Sequence, residues 1–288
     1  GNFIHELLKV LATEIKNIRS EDEARDWGRN IAQTLLSSPD FSSLKEGVSG
    51  KFAAERMCYE ASAVSAGVYR QLAASNFKIR DVEKWYYIPV DGDVSAGGKV
   101  DRVDECDGLV RVIDYKTGNI SYTAEEYYAG VKLQLPLYLL AASKGKRPAG
   151  AYYFPANVEF GDKPAGDFTL KGFMDCGEEV VRNTDKTIKD KERSAFVDAY
   201  LNGRQLAGGL PEEDFSDFIA YSALIAKRGT KEMFGGNIAP SPFTGACDYC
   251  KMGGMCGFAA GPDSRPRSID GITCADVARI VKKLRGEE

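Results

Sequence analysis

Two aspartates and a lysine carry the clearest chemical signal. Asp101 lies in Gly98-Lys99-Val100-Asp101-Arg102-Val103-Asp104, and Asp114 and Lys116 lie in Val112-Ile113-Asp114-Tyr115-Lys116-Thr117-Gly118. Both segments read as strands, and Cys106-Asp107-Gly108 between them reads as a hairpin turn. Side chains alternate along a strand, so Asp114 and Lys116 share one face and Tyr115 takes the other. The hairpin sets Asp101 on the neighbouring strand, and two carboxylates and a lysine can converge on one point. Two hard oxygen ligands suit Mg²⁺, which keeps several waters and works beside phosphate. Such an ion lowers the pKa of a bound water and offsets charge building on a phosphoryl oxygen. A lysine two residues on can orient that water or stabilise the same developing charge.

A second cluster is made of thiols. Cys247-x₂-Cys250-x₅-Cys256 places three of the seven cysteines within ten residues. The N-terminal residues have no basic flank followed by an apolar run and do not read as a signal peptide, so free thiols or a metal site are favoured over a disulfide framework. Cys58, Cys106, Cys176 and Cys274 have no partner at ligand spacing and read as ordinary thiols.

The elements that must position these groups follow from periodicity. Helical spacing covers residues 3–15, 22–36 and 51–75, the second broken by Ser37-Ser38-Pro39-Asp40. Residues 85–90, 99–105 and 109–115 read as a three-stranded meander. A helix over 124–142 and an apolar strand at 151–154 follow, then helices over 180–202, 212–227 and 275–284. This order argues for an α/β fold with a mixed sheet flanked by helices. The expected organisation is one domain over 1–288: a helical portion (1–80), a catalytic core (81–175) and a helical part bearing the cysteines (176–288). The 288 residues carry 38 basic and 42 acidic side chains, a net charge of −4. Bulk charge gives no support to a nucleic-acid partner, although a local basic groove suffices for one. No run of about 18 apolar residues is present, and no membrane span is expected.

The acidic and lysine pattern resembles the PD-(D/E)XK nuclease superfamily, with Asp101 as the first acid and Asp114-Tyr115-Lys116 as the D-x-K. Val100 stands where the superfamily name has proline. The fuller strings, with Gly1-Asn2-Phe3-Ile4-His5 as G-x-x-x-H and Gln134-Leu135-Pro136-Leu137-Tyr138 as Q-x-x-x-Y, are similar to the RecB-type branch and to AddB-type nuclease domains. The resemblance covers residues 1 to about 258. It implies a restriction-endonuclease-like core, with His5, Asp101, Asp114 and the Tyr115 carbonyl holding Mg²⁺ or Mn²⁺ and Lys116 catalytic. It also implies that Gln134 and Tyr138 lie beside the site. Pro136 disfavours helix at Leu135, so a kink or a helix start is expected there. Cys247, Cys250 and Cys256 resemble the C-terminal part of an iron–sulfur staple whose fourth cysteine lies upstream of the histidine motif. That comparison implies a piece of a longer protein, with its [4Fe–4S] cluster incomplete or absent here.

The function expected is a cytoplasmic, metal-dependent DNA exonuclease domain of a helicase–nuclease with a partner subunit, acting on single-stranded ends in double-strand break repair and recombination. The alternatives are a CRISPR-associated iron–sulfur exonuclease, a nuclease fold kept for DNA binding or scaffolding, and a zinc-binding interaction module. Plainer readings stand beside several residues. Glu83 reads equally as a strand-end charge or an acid at the edge of the site. Asp104 is the better ion-pair partner for Arg102 because the two share a strand face. The run Arg182, Lys186, Lys189, Lys191 and Arg193 reads as a solvated helix face, and Tyr127 and Tyr128 as core or groove-edge residues.

Overall fold

The computed structural model describes residues 1–158, 166–203, 208–248, 250–258 and 265–286. Six strands form one mixed sheet in chain order: β1 (Lys78–Asp91), β2 (Val94–Cys106), β3 (Leu109–Lys116), β4 (Arg147–Pro155), β5 (Lys171–Asp175) and β6 (Gly209–Leu210). β1, β2 and β3 are antiparallel, β4 runs parallel to β3, and β5 is antiparallel to β4. The β2–β3 turn has Asp107 at φ +45° and Gly108 at φ +84°. Two positive φ values are what a two-residue type I′ turn demands, and Asp-Gly meets that demand.

Helices cover both faces of the sheet. On one face lie α1 (Asn2–Glu14), α2 (Glu21–Leu35) and α3 (Gly47–Ala73). Leu7, Leu8 and Leu11 of α1 pack with Val64 and Val68 of α3 against Ile113, Tyr115 and Phe154 of the sheet. Burying each of these leucines contributes about 1.5–3 kcal/mol relative to exposure. On the other face lie α4 (Ala124–Tyr128), α5 (Gln134–Ala142), α7 (Glu212–Phe234) and α9 (Cys274–Arg285). Leu135, Leu139, Phe218 and Val281 pack there against Val103, Val112 and Ala151. Two short helices, α6 (Glu178–Thr184) and α8 (Gly253–Cys256), complete the set. Covered on both faces, β3 is buried from Leu109 to Tyr115, which is why it reads as a nearly continuous apolar run. The architecture is α/β and restriction-endonuclease-like, as expected.

Three expectations change. The helix over 124–142 is two: Gly130 at φ +84° follows α4, and α5 starts at Gln134. Pro136 is the third residue of α5, where its missing N–H would have had no intrahelical partner, so the proline begins a helix and does not kink one. The helix over 180–202 stops at Thr184. Asp185 ends it by accepting from the Thr187 amide at 3.0 Å, the Thr187 hydroxyl at 2.6 Å and the Ser194 hydroxyl at 2.7 Å. These local bonds compete with the helical ladder, so Lys186, Lys189, Lys191 and Arg193 lie on an irregular segment and not on a helix face. β1 begins seven residues before Trp85, through the charged stretch Lys78–Lys84 that hides its period, and β5 and β6 add to the four strands read from the sequence. Tyr127 is buried and donates to the Phe218 carbonyl at 2.6 Å, the core role expected of it.

Candidate active site

Four elements meet at one end of the β1–β2–β3 meander. α1 brings His5, β1 Glu83, β2 Asp101, and β3 Asp114 and Lys116. The Asp101 carboxylate accepts the Tyr115 backbone N–H at 2.8 Å. Pairing of β2 with β3 starts at Arg102 opposite Ile113, so the carboxylate takes the place of the next rung of the ladder. Strand alternation would put Val100 on the face of Arg102 and Asp104, yet Val100 joins Val103 in the cluster under α5. β2 therefore turns its faces over at Asp101. Opposite this point Glu83 has φ +51°, a left-handed conformation that costs of order 1–3 kcal/mol in a non-glycine residue.

The ligand atoms of His5, Glu83 and Asp101 all lie within 4.8 Å of one another, the one such group among the described residues. His5 Nδ1 is 3.4 Å from Asp101 Oδ2, and the imidazole meets the Tyr115 ring edge-on at 6.2 Å. Burial raises the Asp101 carboxyl to about 6, and Asp114 and Glu83 push the same way; the Tyr115 N–H and His5 oppose them. With a carboxylate on either side, Asp101 favours a cation or proton that can join it. Two carboxylates and an imidazole are a suitable donor set for a divalent ion, and Lys99 already pairs with Glu83. On the other side of Asp101, Lys116 Nζ is 2.6 Å from Asp114 Oδ2 and 5.7 Å from the centre of the Tyr153 ring. Asp114 and Lys116 do share a face, with Tyr115 turned into the opposite core cluster.

The spacing of acid, acid and lysine thus folds into a convergent site. The family model described as the PD-(D/E)XK nuclease superfamily matches residues 1–257. The chain belongs to this superfamily. Among curated relatives, an ATP-dependent helicase/deoxyribonuclease subunit of Clostridioides difficile (strain 630) is 24% identical over 98% of this chain and 29% of its own length. The subunit of the same name from Caldanaerobacter subterraneus is 26% identical over 90% of this chain and 26% of its own length. A third, from Carboxydothermus hydrogenoformans, is 37% identical over 36% of this chain and 10% of its own length. The chain therefore spans between a quarter and a third of the first two relatives.

The other residues matched to nuclease motifs fall in two places. Gln134 Nε2 donates to the Tyr138 hydroxyl at 3.2 Å, and a Cβ at Gly98 would overlap that hydroxyl. The glycine three residues before Asp101 is thus what lets α5 close on β2. The pair is bonded to itself and packs against β2 at Gly98. Cys247, Cys250 and Cys256 are exposed and do not converge into a ligand group among the described residues. Cys274, the first residue of α9, is buried in the cluster on that face of the sheet and Cys58 packs against the α1–α3 cluster, so neither joins them. Three dispersed thiols do not fit a four-thiolate cluster. Glu83 is the residue whose place in the site sequence reasoning left open, because a positive φ at a glutamate has no sequence signal.

No helix among the described residues is long and apolar enough to cross a membrane. One expected ion pair takes an unexpected form. Arg102 and Asp104 do pair, at 2.6–2.7 Å, but both are fully buried, and Arg111 joins the same carboxylate at 2.9 Å.

Proposed function

We propose that this chain is a divalent-metal-dependent deoxyribonuclease module of a helicase–nuclease, hydrolysing phosphodiester bonds of single-stranded DNA ends during double-strand break repair and recombination. The observation that carries the reading is the convergence of His5, Glu83 and Asp101, with Asp114 and Lys116 on the other side of Asp101. The proposed ion-holding set is His5, Asp101, Asp114 and the Tyr115 carbonyl, with Glu83 added by its position. A bound Mg²⁺ or Mn²⁺ would supply Lewis acidity toward water and a scissile phosphate. The Tyr115 amide holds the Asp101 carboxylate, and the ion pair with Asp114 holds Lys116 in place. Lys116 there donates hydrogen bonds to the attacking oxygen and to the phosphate as charge develops. Gln134 and Tyr138 border the path of the strand. The names of the curated relatives support a DNA substrate and a partner subunit.

The test is cleavage of end-labelled single-stranded DNA in Mg²⁺ or Mn²⁺ beside Asp114→Ala and Lys116→Ala. Each variant is expected to lose about 10²–10⁴-fold in rate, the range typical of losing a positioned acid, base or charge stabiliser. Near-normal cleavage by either variant would overturn the assignment.

A further inference from the structure

On β1, every second side chain from Glu83 onward shares the outward face: Glu83, then Trp85, then Tyr87. Trp85 lies opposite Lys99 and Tyr87 opposite Gly97, while Tyr86 and Ile88 turn inward toward α5. Trp85 is 58% and Tyr87 57% exposed, unusual for large aromatic residues in the middle of paired strands. The two rings are nearly parallel, 15° apart with centroids 6.0 Å apart. A Cβ at Gly97 would lie 2.5 Å from the Tyr87 ring, so this ring rests across the bare glycine backbone. One ring face is on the sheet, and the other is left to solvent.

The plate adjoins the candidate site. Lys99, opposite Trp85, pairs with Glu83 of the His5–Glu83–Asp101 group, so the first ring is one two-residue step from the acids. That step is about 6.8 Å along a strand. Lys99, half exposed and cross-strand from Trp85, sets a positive charge beside it. Flat aromatic faces beside lysines bind unpaired bases, because every base has a π-face and a duplex hides it.

We propose that Trp85 and Tyr87 form a stacking platform for the bases of a single-stranded nucleic acid whose backbone lies at the His5–Glu83–Asp101 group. The proposal rests on the nuclease reading and deepens it, since it states why unpaired strands are preferred.

The chain has two tryptophans, Trp27 and Trp85. A Trp27→Phe variant leaves Trp85 as the single reporter. Titration with a phosphorothioate oligothymidylate, which resists cleavage, should quench its emission saturably, and a duplex of equal length should not. Trp85→Ala with Tyr87→Ala should weaken single-strand binding, followed by anisotropy of a labelled oligonucleotide, about tenfold or more, a decade being about 1.4 kcal/mol. Trp85→Phe should retain most of the affinity, and melting should be unchanged because both rings are exposed. Oligonucleotide that binds and is cut in a Lys116-dependent way while Trp85 emission stays constant, or that binds the double variant as tightly as the parent, overturns the platform and leaves the nuclease standing. Quenching without any Lys116-dependent cleavage supports the platform and overturns the nuclease. Neither binding nor cleavage overturns both.

Discussion

Removal of the Asp104 carboxylate is expected to be among the most destabilising single changes in the chain. Arg102 donates to Asp104 from Nε at 2.7 Å and from Nη2 at 2.6 Å, and Arg111 Nε donates to it at 2.9 Å. All three side chains are fully buried, and Arg111 also lies 4.3 Å from the centre of the Phe77 ring. Two guanidiniums thus share one counter-charge, and Arg111 Nη1 makes no hydrogen bond among the described residues. Breaking a buried pair by removing one partner costs about 3–5 kcal/mol. Here a single deletion strands two cations, which argues for the upper half of that range. Unfolding entropy of about 2.1 cal/mol/K per residue gives roughly 600 cal/mol/K for this length, so a loss of about 4 kcal/mol lowers Tm by about 7 °C.

The assay is urea unfolding of Asp104→Leu beside the triple variant Arg102→Met, Asp104→Leu, Arg111→Met. Replacing a whole buried ionic cluster with apolar side chains is often neutral or stabilising, so the triple variant is expected to recover most of the loss. The pH dependence follows from the same contacts. Burial raises the Asp104 carboxyl, but Arg102 and Arg111 outweigh it and hold the group below its usual value. A depressed folded-state pKa contributes stability that is complete above the unfolded value, about 3.9, and is lost as pH falls through the folded one. The gap between wild type and triple variant should therefore move against the wild type below about pH 4. An Asp104→Leu change within about 1 kcal/mol of wild type, or a triple variant as unstable as the single one, refutes the reasoning.

Three further outcomes are expected. Gly98→Ala should cost about 1–3 kcal/mol by overpacking against Tyr138, and adding Tyr138→Phe should return part of it, as thermal melts would show. Glu83→Gln should weaken Mn²⁺ binding about tenfold or more by titration calorimetry, and unchanged affinity would remove Glu83 from the metal site. Changing Cys247, Cys250 and Cys256 together to serine should alter the stability of the metal-free chain by less than about 0.5 kcal/mol in urea, since all three are exposed.

The pairing of Asp114 with Lys116 was legible from strand alternation, and the nearness of Asp101 from the one Asp-Gly turn that sets β2 beside β3. So were α1 to α3, β3 and β4, whose apolar periods are strong. What escaped depends on contacts between distant segments or on backbone choices with no compositional mark. Asp185 ends a helix only because Thr187 and Ser194 fold back onto it, and the same residues read as an ordinary polar run.

The Arg102–Asp104 pair shows where local rules stop. Alternation places the two side chains on one face and predicts their contact, but not whether that face meets water. Gln71, thirty-one residues earlier on α3, decides it by covering the sheet and accepting from Arg102 Nη2 at 3.1 Å. The consequence reaches the site. Arg102 and Asp104 are locked under α3, while Val100 is locked under α5 on the opposite face. Asp101, between them, is held at the crossover with its carboxylate on the Tyr115 amide. A strand obeying simple alternation would send residue 101 fully to one layer. The buried charges on one side and the apolar anchor on the other hold the acid at the sheet's divide, where α1 can bring His5 and β1 can bring Glu83.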